Sequence, residues 1–163
     1  MIRLVPAELA LLDAAVAGDE ALAEMLGYPV APGWITFTDA LAPTRDSVAA
    51  GGDPRWGTRF FVTEEPVELV GWGGFKGPPA DGVAEIGYEI AGGRQGRGYA
   101  TAAVRAMVAE AFADESVRSV IAHTLPERNA SNRVLERAGF RFEGEADENG
   151  EPVWRFRLER GAG

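Results

Sequence analysis

This sequence carries a glycine-rich turn between a strand and a long helix, and that order restricts the folds open to the chain. The strand pattern spans Val83–Ile90, the turn spans 95–100, and apolar residues at helical spacing predict a helix over Tyr99–Phe112. A second strand pattern follows at 117–124. A strand, a helix and a strand in this order predict a crossover connection and a parallel strand pair.

The flanking patterns add antiparallel strands and further helices. Strand patterns at 59–63, 67–75 and Val83–Ile90 follow one another with turns between them, which predicts an antiparallel meander. A final pair at 140–145 and 153–159, joined by a turn at 148–150, predicts a hairpin. The other predicted elements are a strand at 3–5 and helices at 44–50 and 130–138. Together the patterns predict an α/β fold on one mixed sheet.

Two further short helices are predicted near the N-terminus. Pro6 suits the first turn of a helix that carries apolar residues as far as Val16. The next helix is predicted to begin at the N-cap Asp19, with Met25 among its inward side chains.

The length of 163 residues, without repeats, low-complexity tracts or linkers, predicts one domain over 1–163 with a core and a cleft. The N-terminal residues lack the apolar run of a signal peptide, and no later segment is apolar over a membrane-spanning length. We therefore expect a cytoplasmic protein with no membrane partner.

The composition excludes several kinds of chemistry. Because the chain has no cysteine, it cannot form a thiolate metal site or a covalent acyl-cysteine intermediate. Its one histidine cannot build a zinc site of the usual histidine or cysteine type within one chain, so we expect no metal. The net charge of -9 opposes binding to nucleic acid and favours cationic partners such as amines.

The turn at 95–100 is suited to an anion. A glycine-rich turn before a helix presents free N–H groups and the positive end of the helix dipole, which suits a pyrophosphate. Arg94, Arg97 and Arg105 concentrate positive charge there in an acidic chain. The alternative is a tight connection whose arginines are solvated. A P-loop and a dinucleotide fingerprint both fit poorly, because the residues and glycine spacing that they need are absent.

Two motifs in the expected order carry a resemblance to a known family. Gln95, Gly98 and Ala100 match motif A of the GNAT superfamily, and the run from His123 to Phe140 is similar to its motif B. Within the superfamily the chain most resembles the RimJ/RimL-like branch. The resemblance implies a single mixed sheet, with a meander and a parallel pair that splays at an acyl-CoA site. It also implies an N-acetyltransferase that moves an acetyl group from acetyl-CoA directly to a primary amine.

The resemblance also implies which residues bind the cofactor. The last strand residues bond the pantetheine arm through their backbone, and the N–H groups of the turn hold the pyrophosphate. An asparagine before the last helix is common in the family, and the one here stands one residue out of phase. Family dimers are common too, and the hairpin could form an edge for a homodimer. The predicted cofactor residues are Ile90, Ala91, Gln95, Gly96, Arg97, Gly98, Tyr99, Ala100, Thr101 and Asn129.

Aminolysis needs a group that accepts a proton, because an amine with a pKa of roughly 10.4 is protonated at neutral pH. By resemblance Glu85 is the first candidate for this base. Strand alternation places Glu89 on the same face. Each is alternatively a solvated strand carboxylate. His123 has an intrinsic pKa suited to proton transfer, although a lone histidine is more often structural.

The family's usual general acid is missing. Many members have a tyrosine four residues before a Gly-Phe pair, and Leu135 stands at that position here. Ser131 or water is the substitute that we predict, and Ser131 is alternatively a helix N-cap. The missing tyrosine also motivates a second function, an acyl-CoA-binding sensor without turnover. A nucleotide-binding module is the third. Protein N-termini and small-molecule amines both remain open as acceptors.

Overall fold

The computed structural model describes residues 1–161 and contains one seven-stranded sheet in the order β1-β2-β3-β4-β5-β7-β6. Neighbouring strands are antiparallel except β4 and β5, which are parallel. The strands are β1 Ile2–Pro6, β2 Thr58–Glu64, β3 Val67–Phe75, β4 Val83–Ile90, β5 Ser119–Thr124, β6 Arg141–Glu148 and β7 Glu151–Glu159. The predicted α/β fold with a mixed sheet is confirmed.

Five α-helices flank the sheet within residues 1–161. The crossover helix α4 packs against β1 and β4, and its apolar face, including Val104 and Met107, is fully buried. The first helix packs against the second and third. The helices are α1 Leu9–Ala17, α2 Asp19–Leu26, α3 Leu41–Ala49, α4 Tyr99–Phe112 and α5 Ala130–Arg137.

The core lies on both faces of the central strands. Three successive residues of β2, Phe60, Phe61 and Val62, are fully buried, which occurs only where both faces of a strand are covered. Trp34, from the loop after α2, packs edge-on against Phe60 and Trp72 at ring distances of 5.6 and 5.8 Å. Each such pair contributes about 1 kcal/mol beyond its buried area. This loop is thereby anchored next to β3.

The parallel pair opens halfway along β4. Pairing between β4 and β5 runs only from Val83 to Ile86, so the second half of β4 bonds to β3 alone. That half lies very close to β3, because a Cβ on Gly73 would be 2.3 Å from the carbonyl oxygen of Gly87. The predicted splay is confirmed, and it leaves one edge of β4 unpaired.

Three local predictions in the N-terminal region are wrong. Pro6 ends β1 instead of opening a helix. Gly18 caps α2, and Asp19 accepts a hydrogen bond of 2.9 Å from the Trp34 indole. Met25 is 53% exposed, because only the stripe through Leu22 faces inward on this short helix. Within the described residues, no helix combines the length and apolarity needed to cross a membrane.

Candidate active site

The glycine-rich turn forms the N-terminus of α4. Gly96 and Gly98 have φ values of +79° and +82°, and Gly98 is the N-cap residue. A Cβ at either position would meet no atom within 4 Å, so internal packing does not explain these glycines. The first N–H groups of a helix lack intrahelical partners and are free to bind an anion. The turn has the geometry expected of a phosphate site.

A cavity of about 510 Å³ lies between this turn and α5. Arg94, Arg133 and Arg137 supply positive charge to its wall. Arg94 is held in place by Glu68, which accepts hydrogen bonds of 2.7 and 2.8 Å from its guanidinium. The bond to Arg94 holds the pKa of the Glu68 carboxyl below its usual range. The cavity therefore combines a helix N-terminus with fixed positive charge, as a polyphosphate ligand requires.

Most of the predicted cofactor residues line this cavity, namely Ile90, Gln95, Gly96, Gly98, Tyr99, Ala100 and Thr101. The side-chain amide of Gln95 donates to the carbonyl of Ile90 at 3.2 Å, which joins the turn to the end of β4. The other three predicted residues, Ala91, Arg97 and Asn129, lie outside the lining. Ala91 is buried, and its N–H already donates to Val70 at 2.8 Å. Arg97 is exposed.

Asn129 has a structural role that the sequence prediction did not give it. It is the N-cap of α5, and its Oδ1 accepts hydrogen bonds of 3.1 Å from the backbone and the side chain of Asn132. It is not among the residues that line the cavity. The N-cap alternative for Ser131 is wrong, because Ser131 lies inside the helix.

A tyrosine that was not predicted from the sequence links the unpaired half of β4 to α5. The hydroxyl of Tyr88 in β4 lies 2.8 Å from the Oγ of Ser131 in α5. Burial raises the pKa of Tyr88 to about 12, so its hydroxyl stays protonated at neutral pH. Strand alternation does place Tyr88 on the face opposite Glu85, but no sequence signal links it to Ser131, 43 residues away.

Glu89 is fixed by three donors from two distant segments. Its Oε1 accepts from the backbone and hydroxyl of Thr36 at 2.9 and 2.6 Å, and its Oε2 accepts from the Trp72 indole at 2.8 Å. An ionised carboxylate has about four acceptor positions, so one is left for a ligand. Glu89 and Tyr88 line the 510 Å³ cavity and also a second cavity of about 350 Å³, which is lined mainly by residues of β3 and β4. The two cavities therefore meet at these side chains.

Glu85 and His123 lie together in a different cluster. The His123 Nδ1 is 2.9 Å from Glu85, and its Nε2 accepts from Arg155 at 3.0 Å. The proton of this imidazole therefore lies on Nδ1 and is donated to Glu85. The ammonium of Lys76 lies 3.1 Å from Glu85 and 3.3 Å from Glu148. Both contacts of Glu85 are made by its Oε2, and Glu85 is not among the residues that line either of the two cavities.

In this cluster the charged neighbours outweigh the effect of burial on the pKa values of Glu85 and Lys76. Burial would raise the pKa of Glu85, but the His123 hydrogen bond and the Lys76 charge outweigh it and hold the pKa below its usual range. Burial would lower the pKa of Lys76, but Glu85 and Glu148 outweigh it and raise the pKa. Lys76 is therefore charged at neutral pH and held between two carboxylates.

The same cluster is the arrangement within residues 1–161 closest to a metal site. Ligand atoms of Glu85, His123 and Glu148 all lie within 4.8 Å of one another. The prediction of no metal rests on histidine and cysteine ligands alone, whereas two of these three residues offer carboxylates. The ammonium of Lys76 contacts two of the three residues and already supplies their positive charge. The expected absence of a metal stays a prediction.

Comparison with known proteins identifies relatives along most of the chain. A family model described as an acetyltransferase (GNAT) domain matches residues 2–141. The uncharacterized N-acetyltransferase YjdG of Bacillus subtilis is 29% identical over 143 residues, which is 85% of this chain and 85% of YjdG. These matches span the strand, the turn and the helix described above.

Two solved structures with bound ligands share the fold. The aminoglycoside acetyltransferase AAC(6')-Ib, in complex with ribostamycin and coenzyme A, has a TM-score of 0.67, 20% identity, and covers 99% of this chain and 94% of its own. The microcin C7 self-immunity acetyltransferase MccE, in complex with acetyl-CoA and AMP, has a TM-score of 0.68 at 16% identity. The match covers 97% of this chain and 92% of the MccE chain. At such identities the likeness extends to the fold alone.

Proposed function

Because this chain belongs to the acetyltransferase (GNAT) domain family, we propose that it transfers an acetyl group from acetyl-CoA directly to a primary amine. The supporting observation is that two cavities meet at Glu89 and Tyr88, on the half of β4 that β5 leaves unpaired. One cavity suits the thioester and the other suits the amine. The run from His123 to Phe140 further favours the RimJ/RimL-like branch, and the length of 163 residues favours one domain over 1–163.

The 510 Å³ cavity suits acetyl-CoA. The pyrophosphate would lie at the N-terminus of α4, where Gly96 and Gly98 leave space for it. The pantetheine arm would lie along the unpaired edge of β4, because its amides can bond to strand groups that β5 does not reach. Arg133 and Arg137 would contact the remaining phosphate groups. Acetyl-CoA is a substrate here, and the chain's own residues supply binding and orientation.

Glu89 is the better candidate for the group that accepts the amine's proton. It lies where the two cavities meet and has one acceptor position left. Glu85, the first candidate by resemblance, is bonded to His123 and Lys76 and is not among the residues that line either cavity. His123 is bonded at both ring nitrogens. The three donors on Glu89 fix its position, which matters because transfer requires the amine close to the thioester carbon.

Attack by the neutral amine forms the C–N bond and breaks the C–S bond, so charge develops on the coenzyme A sulfur. The pKa of Tyr88, about 12, lies above the roughly 8.5 typical of a thiol. Full transfer of its proton to the sulfur is therefore unfavourable, by about 5 kcal/mol. A hydrogen bond from Tyr88 or Ser131 would still stabilise the leaving thiolate. The proton lost by the amine returns to the sulfur through water.

A catalytically weak acyl-CoA sensor is the second candidate, supported by Leu135 at the position of the usual tyrosine. That side chain is fully buried, so no acid reaches the cavity from this position. Coenzyme A release measured with a broad amine panel separates the two functions. Amine-dependent release identifies the enzyme, and tight coenzyme A binding without release from any amine identifies the sensor. Equal thermal stabilisation by ADP and by coenzyme A would exclude both.

A further inference from the structure

A third cavity, of about 590 Å³, contains no group that the proposed reaction uses. It lies between the end of β1, the helices α1 and α3, and the turn at Pro54–Trp56. Its walls are mainly apolar and include Leu9, Val48, Trp56 and Phe75. Trp56 and Phe75 pack edge-on with their rings 5.0 Å apart, which makes one wall aromatic and rigid.

This apolar cavity adjoins the 350 Å³ cavity that the proposal gives to the amine. Thr44, Thr58 and Phe75 line both, so the two spaces are separated by no more than these side chains. The three cavities follow one another along the sheet, from the N-terminus of α4 through Glu89 to the Trp56 wall. A molecule whose amine reaches Glu89 therefore has room to place its other end in the apolar cavity.

The charge of the apolar cavity restricts what it can hold. Its charged lining residues are Glu8 and Asp53, and no lysine or arginine lines it. In the neighbouring cavity, Lys76 is paired with Glu85 and Glu148. A carboxylate or phosphate in the apolar cavity would lie beside Glu8 and Asp53 with no basic residue in the lining, and many hydroxyls would lose hydrogen bonds against the apolar wall. The volume lies within the roughly 300–1,000 Å³ typical of small-molecule sites.

We propose that this cavity binds the body of the acceptor, and that the acceptor is a small primary amine on an uncharged apolar or aromatic group. The assignment rests on the proposed acetyltransferase function, because Glu89 then receives the amine. Burial of a phenyl group against Trp56 and Phe75 stabilises the complex enough for a tenfold or larger gain in affinity. Aminoglycoside-like acceptors and peptide N-termini are accordingly poor substrates.

Calorimetric titration of the coenzyme A-loaded protein tests this directly. The probes are 2-phenylethylamine, ethanolamine as its polar match, and phenylalanine, which adds a carboxylate. We expect 2-phenylethylamine to bind at least tenfold more tightly than either of the others. Ser47 is exposed and lines the cavity, so Ser47→Trp should fill the space and weaken 2-phenylethylamine binding tenfold or more. Coenzyme A affinity should not change.

Ala49→Trp is the matched control, since Ala49 lies on the same helix, is exposed and does not line the cavity. Val48→Phe is a second filling variant in case Ser47→Trp does not fold. Equal binding of the three probes, or filling variants that bind 2-phenylethylamine as wild type does, would overturn the inference even if amines are acetylated. Selective binding of 2-phenylethylamine without acetylation would instead contradict the proposed function and leave this binding site standing.

Discussion

Two glutamates on the same face of β4 have different roles because their neighbours differ. Glu89 contacts both cavities of the proposed reaction, whereas Glu85 is bonded to His123 and Lys76. Their residue type and strand position are equivalent, so only the surrounding side chains distinguish them. We therefore assign proton acceptance to Glu89 and structural stabilisation to Glu85.

Glu89→Gln should lower kcat by about 10²–10⁴-fold, because the amide cannot accept the amine's proton. The dissociation constant for coenzyme A should stay close to that of wild type. Glu85→Gln is the matched control and should change kcat by less than about tenfold. Steady-state kinetics and calorimetry measure both effects. A larger loss of kcat in Glu85→Gln than in Glu89→Gln would reverse the assignment.

Tyr88→Phe removes the hydroxyl that bonds to Ser131 and faces both cavities. One lost hydrogen bond of about 1–1.5 kcal/mol in the transition state corresponds to a fall in kcat of about five- to tenfold. The Michaelis constant for acetyl-CoA should change little. Ser131→Ala should give a similar but smaller loss. A kcat for Tyr88→Phe equal to that of wild type would show that this hydroxyl does not assist the leaving group.

At the scale of elements, the turn and the N-terminus of α4 provide the acetyl-CoA site. Gly98 lies in the left-handed region, which costs an L-residue about 1–2 kcal/mol. Gly98→Ala should therefore weaken coenzyme A binding about tenfold, through strain and through a methyl group in the phosphate space. Gly93→Ala, in the same loop but outside the cavity lining, should bind normally. Calorimetry that finds both variants equal to wild type would contradict the proposed phosphate position.

The strand–turn–helix order was predictable from the sequence because its signals are local. Apolar periodicity predicts the meander, the crossover and the final hairpin, and the structure shows the hairpin turn with left-handed Asn149 and Gly150.

The site, in contrast, depends on contacts between residues that are distant in the sequence. Thr36 lies 53 residues from Glu89, and Lys76 lies 72 from Glu148. Periodicity carries no information about such pairs, so Tyr88, Trp72 and Thr36 were missed.

At the scale of the whole molecule, the cluster around Glu85 connects the final hairpin to the central strands. It joins Glu85 in β4, His123 in β5, Glu148 in β6 and Arg155 in β7, with Lys76 directly after β3. Each member comes from a different part of the chain, so the cluster forms only when the sheet is assembled. We infer that it stabilises the fold on the acceptor side of the site.

The cluster gives stability a defined pH dependence. The pKa of Glu85 in the folded protein lies below its ordinary value of 4.5. The contribution of Glu85 to the free energy of unfolding is therefore present above pH 4.5 and is lost as the pH falls through the folded pKa. Urea unfolding should therefore show wild type losing more stability than Glu85→Gln between about pH 6 and pH 3. Salt should reduce the difference, because Lys76 is about half exposed. Parallel stability curves for the two proteins would contradict this role.

Direct acetyl transfer to an amine is tested most directly by following a labelled acetyl group. Acetyl-CoA carrying a ¹³C-acetyl group is incubated with the protein and a panel of primary amines, and mass spectrometry follows the label. We expect labelled N-acetylamine in a one-to-one ratio with released coenzyme A, no labelled protein intermediate, and little product from Glu89→Gln. Tight coenzyme A binding with no acetylated amine from any panel member, or label held covalently by the protein, would contradict it.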